Sequence, residues 1–151
     1  QDQNYVNEGE VLMEVTTTTK QGQLFAGIGV TVKLFASNTM IGWALKDISS
    51  GNKILDEALA LKLVLCKAVQ RKWSNLKLRF CNKELWRQLK YQSPANSKMA
   101  TVLEDISQLQ RLFCMCSFVL DREENMIVSK TLSVDALSII VDEERQLPQC
   151  L

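Results

Sequence analysis

The 151-residue chain contains no histidine. That absence removes Ser-His and Cys-His nucleophilic catalysis, the commonest general base, and the zinc sites that mix imidazole with thiolate. Any chemistry has to rest on carboxylates, lysine or a carboxylate-held metal. Long apolar runs are missing too: none approaches the roughly 18 residues of a membrane span, so no membrane partner is expected. Residues 1–14 hold four acids and no Lys or Arg, which is not the pattern of a signal or transit peptide. Cysteine is present but unhelpful as a framework. Cys66, Cys81, Cys114, Cys116 and Cys150 are odd in number, without framework spacing. They favour a reducing intracellular compartment over a disulfide-stapled secreted domain.

What remains is the composition of one globular domain, 46% hydrophobic and 23% charged. The net charge is only +1, but it is unevenly placed. Between residues 58 and 90 nine basic residues face a single acid, Glu84, whereas residues 121–145 carry seven acids against three bases. A basic middle between acidic ends attracts a polyanion locally even when the total is near zero. Lysines and arginines that only solvate exposed helix faces would give the same pattern.

Periodicity divides the chain into a polar lead-in over residues 1–23, a folded region over 24–141 and a tail over 142–151. Within the lead-in, Val11 to Val15 has the makings of a short edge strand. Residues 24–37 (LFAGIGVTVKLFAS) read as a first full strand and Thr39 to Asp47 as a second. The Ser49–Asn52 turn leads to a third strand beginning at Lys53. A helix runs from Asp56 to about Arg71, with Ala58, Leu61, Leu65 and Ala68 on one side. Leu76 to Cys81 alternates as a half-buried strand, and helices follow at 82–91 and 98–112. CMCSFVL (114–120), apolar on both faces, reads as a central strand holding two core thiols, and 126–140 as a last helix. Trp43 reads as core, while Trp73 and Trp86 sit beside basic residues that would suit either packing or base stacking. The order predicts an α/β fold: a five-stranded mixed sheet, three antiparallel strands then parallel ones, with helices on its faces.

Four phrases in this order resemble the plant ribonuclease H-like domain of retroelement reverse transcriptases and stand-alone plant proteins. They are MIGWALKDISSG (40–51), DEALALKLVL (56–65), LRFCNKELWRQLK (78–90) and REENMIVSKTL (122–132). The resemblance covers roughly residues 30–140 and implies the ribonuclease H-like fold. It also implies a site in which several carboxylates hold two divalent metals that cut a phosphodiester. Matched position by position, the second acid is present as Glu57. The third falls on Cys81, and the fourth, four residues after the retained Asn125, falls on Ser129. The first is expected near Phe35, and no Asp or Glu occurs between Glu14 and Asp47. One acid of four cannot hold two Mg²⁺ ions, and a thiol is a poor substitute for a hard-metal ligand.

The resemblance therefore implies a nuclease-like module in a plant nucleus or cytosol that has lost its cutting centre, and the basic run points to one that binds nucleic acid, RNA/DNA hybrid or RNA. Its expected contacts are Lys62, Lys67, Arg71, Lys72, Lys83, Arg87, Lys90 and Trp86. A protein-interaction or scaffolding domain suits a charge-stripped site equally well. A residual hybrid nuclease is the third reading. No small-molecule cofactor is expected, and Mg²⁺ would matter only for the residual nuclease.

Overall fold

The computed structural model describes residues 9–148. The first eight residues of the expected lead-in, and Cys150 in the expected tail, lie outside the described residues. The strands are β1 (Glu10–Thr19), β2 (Phe25–Leu34), β3 (Thr39–Ile48), β4 (Asn75–Phe80), β5 (Met115–Leu120) and β6 (Glu143–Leu147). The helices are α1 (Lys53–Gln70), α2 (Lys83–Tyr91), α3 (Ser97–Gln110) and α4 (Ile127–Ala136), with a single 3-10 turn over Glu123–Asn125 before α4. One sheet runs in the order β5-β4-β1-β2-β3-β6. Antiparallel pairing joins β1, β2, β3 and β6, while β4 runs parallel to β1 and β5 parallel to β4. The expected mixed α/β architecture holds, with six strands among the described residues instead of five.

The meander is displaced by one strand from the expectation. Its first member is β1, central in the sheet and ten residues long, where a polar lead-in with a short edge strand was expected. The threonine run belongs to this strand: Thr16, Thr17 and Thr18 are all buried. β-Branched side chains suit the pleated surface, and the Thr16 and Thr18 hydroxyls find partners on α4. The LFAGIGV segment is consequently the second strand. Lys53, expected to open a third strand, opens α1 instead, because Asn52 accepts the Leu55 N–H at 3.0 Å and caps the helix. Asn82 and Asn96 cap α2 and α3 in the same way.

One face of the sheet carries Val11, Met13 and Val15 of β1, Ile28, Val30 and Val32 of β2, and Trp43 and Leu45 of β3. These pack with Leu61, Leu65 and Ala68 of α1 and Leu103 and Ile106 of α3 into the main core. The opposite face receives α4 at very short range. A Cβ on Gly29 would stand 1.9 Å from the Ser129 carbonyl oxygen, and one on Gly27 would stand 2.0 Å from that of Ser133. Only glycine lets the helix backbone approach this closely.

Two further expectations change. The charged segment over Glu143–Leu147, read as tail, adds β6 to the free edge of β3. It is pinned there by Glu144, which accepts the Trp43 indole N–H at 2.8 Å and pairs with Arg71. Trp43 is core as expected and stacks on Trp73 with ring centroids 5.9 Å apart. β5, read as central, lies at the opposite edge, so Cys114 is exposed and Cys116 only half-buried.

Candidate active-site cleft

Glu57 is positioned by its neighbour. Asp56 is buried and accepts from the Ser49 hydroxyl (2.6 Å), the Ser50 N–H (2.7 Å) and the Ser50 hydroxyl (2.6 Å), which locks the β3–α1 turn. The next side chain, Glu57, then enters a cleft of about 130 Å³ at the carboxyl ends of β1 and β4. Thr16, Lys53, Cys81, Asn82, Glu123 and Lys130 line it with Glu57. Burial raises the Glu57 pKa, opposed by the Asn82 side-chain hydrogen bond and by Lys53, whose ammonium lies 3.5 Å away.

Thr16 and Cys81 stand two residues beyond the Glu14–Arg79 register pair of β1 and β4. They are therefore neighbours across the two parallel strands, on the same face. From α4, Ser129 meets Thr16 with hydroxyl oxygens 2.6 Å apart. Ser129 also donates to the Met126 carbonyl at 3.1 Å, so the proton between the two hydroxyls comes from Thr16. One turn along, Thr18 and Ser133 repeat the arrangement at 2.6 Å, with Ser133 donating to the Lys130 carbonyl. The positions opposite Glu57 are thus filled by a closed pair of neutral hydroxyls and a thiol. Burial, then the nearby Glu57 and Glu123 carboxylates, push the Cys81 thiol up, keeping it protonated.

Three of the four expected positions, Glu57, Cys81 and Ser129, come together at this end of the sheet. Phe35 does not. It lies in the turn after β2, and because β2 runs antiparallel to β1 that turn is beside Glu10, away from the cleft. On β1 it is Thr16 that both lines the cleft and meets Ser129, and sequence reasoning missed it; its usable signal was small hydroxyls two apart, Thr16 and Thr18, matching Ser129 and Ser133 four apart on a helix. Glu14 is on β1 too, but it is engaged by Arg79 (2.8 Å) and Thr31 (3.1 Å) outside the cleft. Asn125 closes the turn before α4 by donating to Asp121 at 2.9 Å, which holds the Asp121 pKa down.

These residues do not fit a pair of divalent ions. Two carboxylates, Glu57 and Glu123, face two ammonium groups, Lys53 and Lys130, so the cleft is already charge-balanced. Among the described residues no group of three or more Asp, Glu, Cys or His side chains is placed to hold a metal. Nothing here supplies the oxygen-rich shell that Mg²⁺ demands.

The basic residues do not form one stripe. Lys62 pairs with Asp105 at 2.8 Å between α1 and α3. Lys67 and Arg71 lie over Trp43 near β6, and Lys72 is exposed just past α1 with φ 62°. The third group is different. Lys83, Arg87 and Lys90 recur at helical spacing on α2 and are all exposed. Lys83 sits two residues from Cys81, beside the cleft, and Lys90 covers the half-buried Trp86 ring at 4.6 Å from its centroid. Arg87 is also held by Glu84.

A family model described as "Reverse transcriptase-like" matches residues 14–136. Among solved structures, ribonuclease H1 from Halobacterium salinarum superposes with a TM-score of 0.75 at 16% identity, over 86% of this chain and 98% of that one. The LC11 ribonuclease H1, in complex with an RNA/DNA hybrid, gives 0.72 at 16% identity over 85% and 96%. The protease-reverse transcriptase of prototype foamy virus gives 0.61 at 9% identity, over 88% of this chain and 21% of that protein. No curated protein matches the sequence significantly.

Proposed function

The chain belongs to the reverse transcriptase-like family and has the ribonuclease H-like fold, and on that premise we propose that it is a non-cleaving module that binds nucleic acid through α2 and the adjoining cleft. The observation that carries the reading is the exposed row Lys83, Arg87 and Lys90, which leads away from a cleft already neutralised by Lys53 and Lys130. Such a row neutralises consecutive phosphates of one strand, giving salt-dependent affinity with little sequence preference. The preferred ligand is an RNA/DNA hybrid or RNA, by analogy with the hybrid held by the LC11 enzyme. Loss of cutting follows from the filled acid positions: a thiol and two hydroxyls cannot replace carboxylates around divalent ions. The setting proposed is intracellular, nuclear or cytoplasmic.

Fluorescence anisotropy with a labelled hybrid tests this. The wild-type protein should bind at low salt with log K falling linearly in log salt, at a slope of about −0.9 per phosphate neutralised. Charge reversal at Lys83, Arg87 and Lys90 together should lower affinity by about tenfold or more and flatten the slope. No binding at low salt, or a slope unchanged in the triple variant, contradicts the proposal.

One observation favours a protein partner as the second reading. An open groove of about 310 Å³ runs between the sheet and the start of α4, where Leu12, Met40, Ile127 and Val128 give it a mainly apolar surface among Glu14, Thr31, Lys33, Glu124 and Asn125. Ile127 is 67% and Val128 49% exposed. Recovery of a stable protein partner after nuclease treatment, lost on Ile127→Lys, would favour that reading.

A further inference from the structure

The two edges of the sheet are treated in opposite ways. The β3 edge is covered by β6, whose Glu143, Glu144 and Arg145 put charge along the outermost strand. Among the described residues the β5 edge carries no such protection beyond one side chain, Gln110. Met115–Leu120 (MCSFVL) has no charged residue, no proline and no glycine. Natural sheets guard an outer strand with inward charges, proline, a bulge or a covering helix, because its free N–H and C=O groups template another strand.

The ladder shows which groups are free to act. Met115 N–H donates to the Ser74 carbonyl and Asp121 N–H to the Phe80 carbonyl, so the odd-numbered residues face β4. Cys116, Phe118 and Leu120 therefore turn their main-chain groups outward. The Cys116 carbonyl accepts from the Gln110 side chain at 3.3 Å. The N–H and C=O of Phe118 and Leu120 point to the open side. The strand is uncharged around them: Met115, on the same face as the exposed Ser117, is 68% exposed, and Phe118 lies edge-on to Phe80 at the margin of the core.

We propose that β5 is a strand-pairing interface, and that its occupant is β5 of a second copy of this chain, joined antiparallel across a two-fold axis. Charge at the strand's ends selects this occupant and this direction. The exposed Arg111 precedes the strand, and the turn Asp121, Arg122, Glu123 and Glu124, three acids against one base, follows it, with Arg122 within 3.9 Å of Glu124. Antiparallel self-pairing brings Arg111 of each copy beside the acidic turn of the other, twice, whereas the uncharged middle meets itself without repulsion. A two-fold contact of this kind closes on itself and extends the sheet across both copies without building a fibre. A six-residue strand buries a small area, so the pairing is weak and concentration-dependent, in the class below ~1,200 Å².

Sedimentation velocity on the full chain, from about 5 to about 300 µM, spans the affinity expected of such an interface. The wild-type protein should move from one copy to two across that range. Ser117→Lys places a charge on the exposed side of the strand in both copies and should leave a single copy throughout; its far-UV spectrum and melting at the lowest concentration should match wild type. Arg111→Glu should weaken pairing by about fivefold or more, and adding Glu124→Arg should restore it. A wild-type protein that stays single at every concentration overturns the proposal. So does a pair that survives Ser117→Lys, or a charge swap that fails to restore what Arg111→Glu lost.

Discussion

Removing either hydroxyl of the Thr16–Ser129 pair should cost stability, and removing both should cost less than the sum. Thr16 and Ser129 are 7% and 0% exposed, with their oxygens 2.6 Å apart. Ser129 keeps its bond to the Met126 carbonyl whatever happens to Thr16. Thr16→Val preserves shape and replaces the donating hydroxyl with a methyl, a net loss of about 0.5–1.5 kcal/mol. Ser129→Ala instead leaves the Thr16 hydroxyl buried without its acceptor, which costs about 1–3 kcal/mol. In the double variant neither group is stranded, so the double-mutant cycle should give a coupling of about 1 kcal/mol. For a chain of this size each kcal/mol lowers the melting temperature by about 2–4 °C. Urea denaturation of wild type, both single variants and the double variant measures all four corners. Strict additivity would refute the reasoning, as would a stability-neutral Ser129→Ala, because either would mean that the two hydroxyls are not spent on one another.

Two other outcomes follow from the same packing and charges. Gly29→Ala would force α4 off the sheet, since its Cβ would collide with backbone atoms of Ser129 and Ser133; destabilisation of about 3 kcal/mol or more is expected by urea denaturation, and a loss under about 1 kcal/mol would contradict the close approach. Glu57 has a folded-state pKa above its ordinary value, so the folded chain holds that proton more tightly. Its stabilising contribution is complete below the unfolded pKa and is lost as pH rises through the folded one. Glu57→Gln should therefore gain stability relative to wild type as pH climbs from about 4 toward 7; a difference that is flat or falls over thermal melts in that window would contradict it.

How much of this was legible in the sequence depended on whether the determining contacts were local. Glu57 and Cys81 could be matched because they sit at fixed offsets from a capped helix start and a strand end, and Ser129 because it lies four residues after Asn125; those signals are local. Thr16 was not visible in the same way. Four threonines in a row read as a polar lead-in, and their burial depends on Ser129 and Ser133, more than a hundred residues away in the chain. Reading β1 as a lead-in displaced β2 and β3 by one, a shift that the false third strand at Lys53 cancelled for β4 and β5, and put Phe35 in a role that its turn position does not allow. β6 was missed for a related reason: EERQL is charged, and its pairing with β3 and the Trp43 and Arg71 contacts to Glu144 come from residues far away in the chain. The apolar CMCSFVL segment was misplaced in the other direction, since burial on both faces is the ordinary expectation for such a strand and an open edge is the exception. The basic run from Lys62 to Lys90 was visible, but the fold divides it, and only the α2 row stays clear of other elements beside the cleft.

The central claim is that a ribonuclease H-like frame here holds nucleic acid without using metal. The most direct measurement takes one preparation of the protein and one end-labelled RNA/DNA hybrid, and follows binding and strand integrity together in Mg²⁺ and in EDTA. Since Lys53 and Lys130 already balance the cleft, affinity at matched ionic strength should be the same in both buffers within about twofold, and the hybrid should remain intact. Mg²⁺-dependent cleavage that disappears in Glu57→Gln, or binding that requires the metal, would contradict the account.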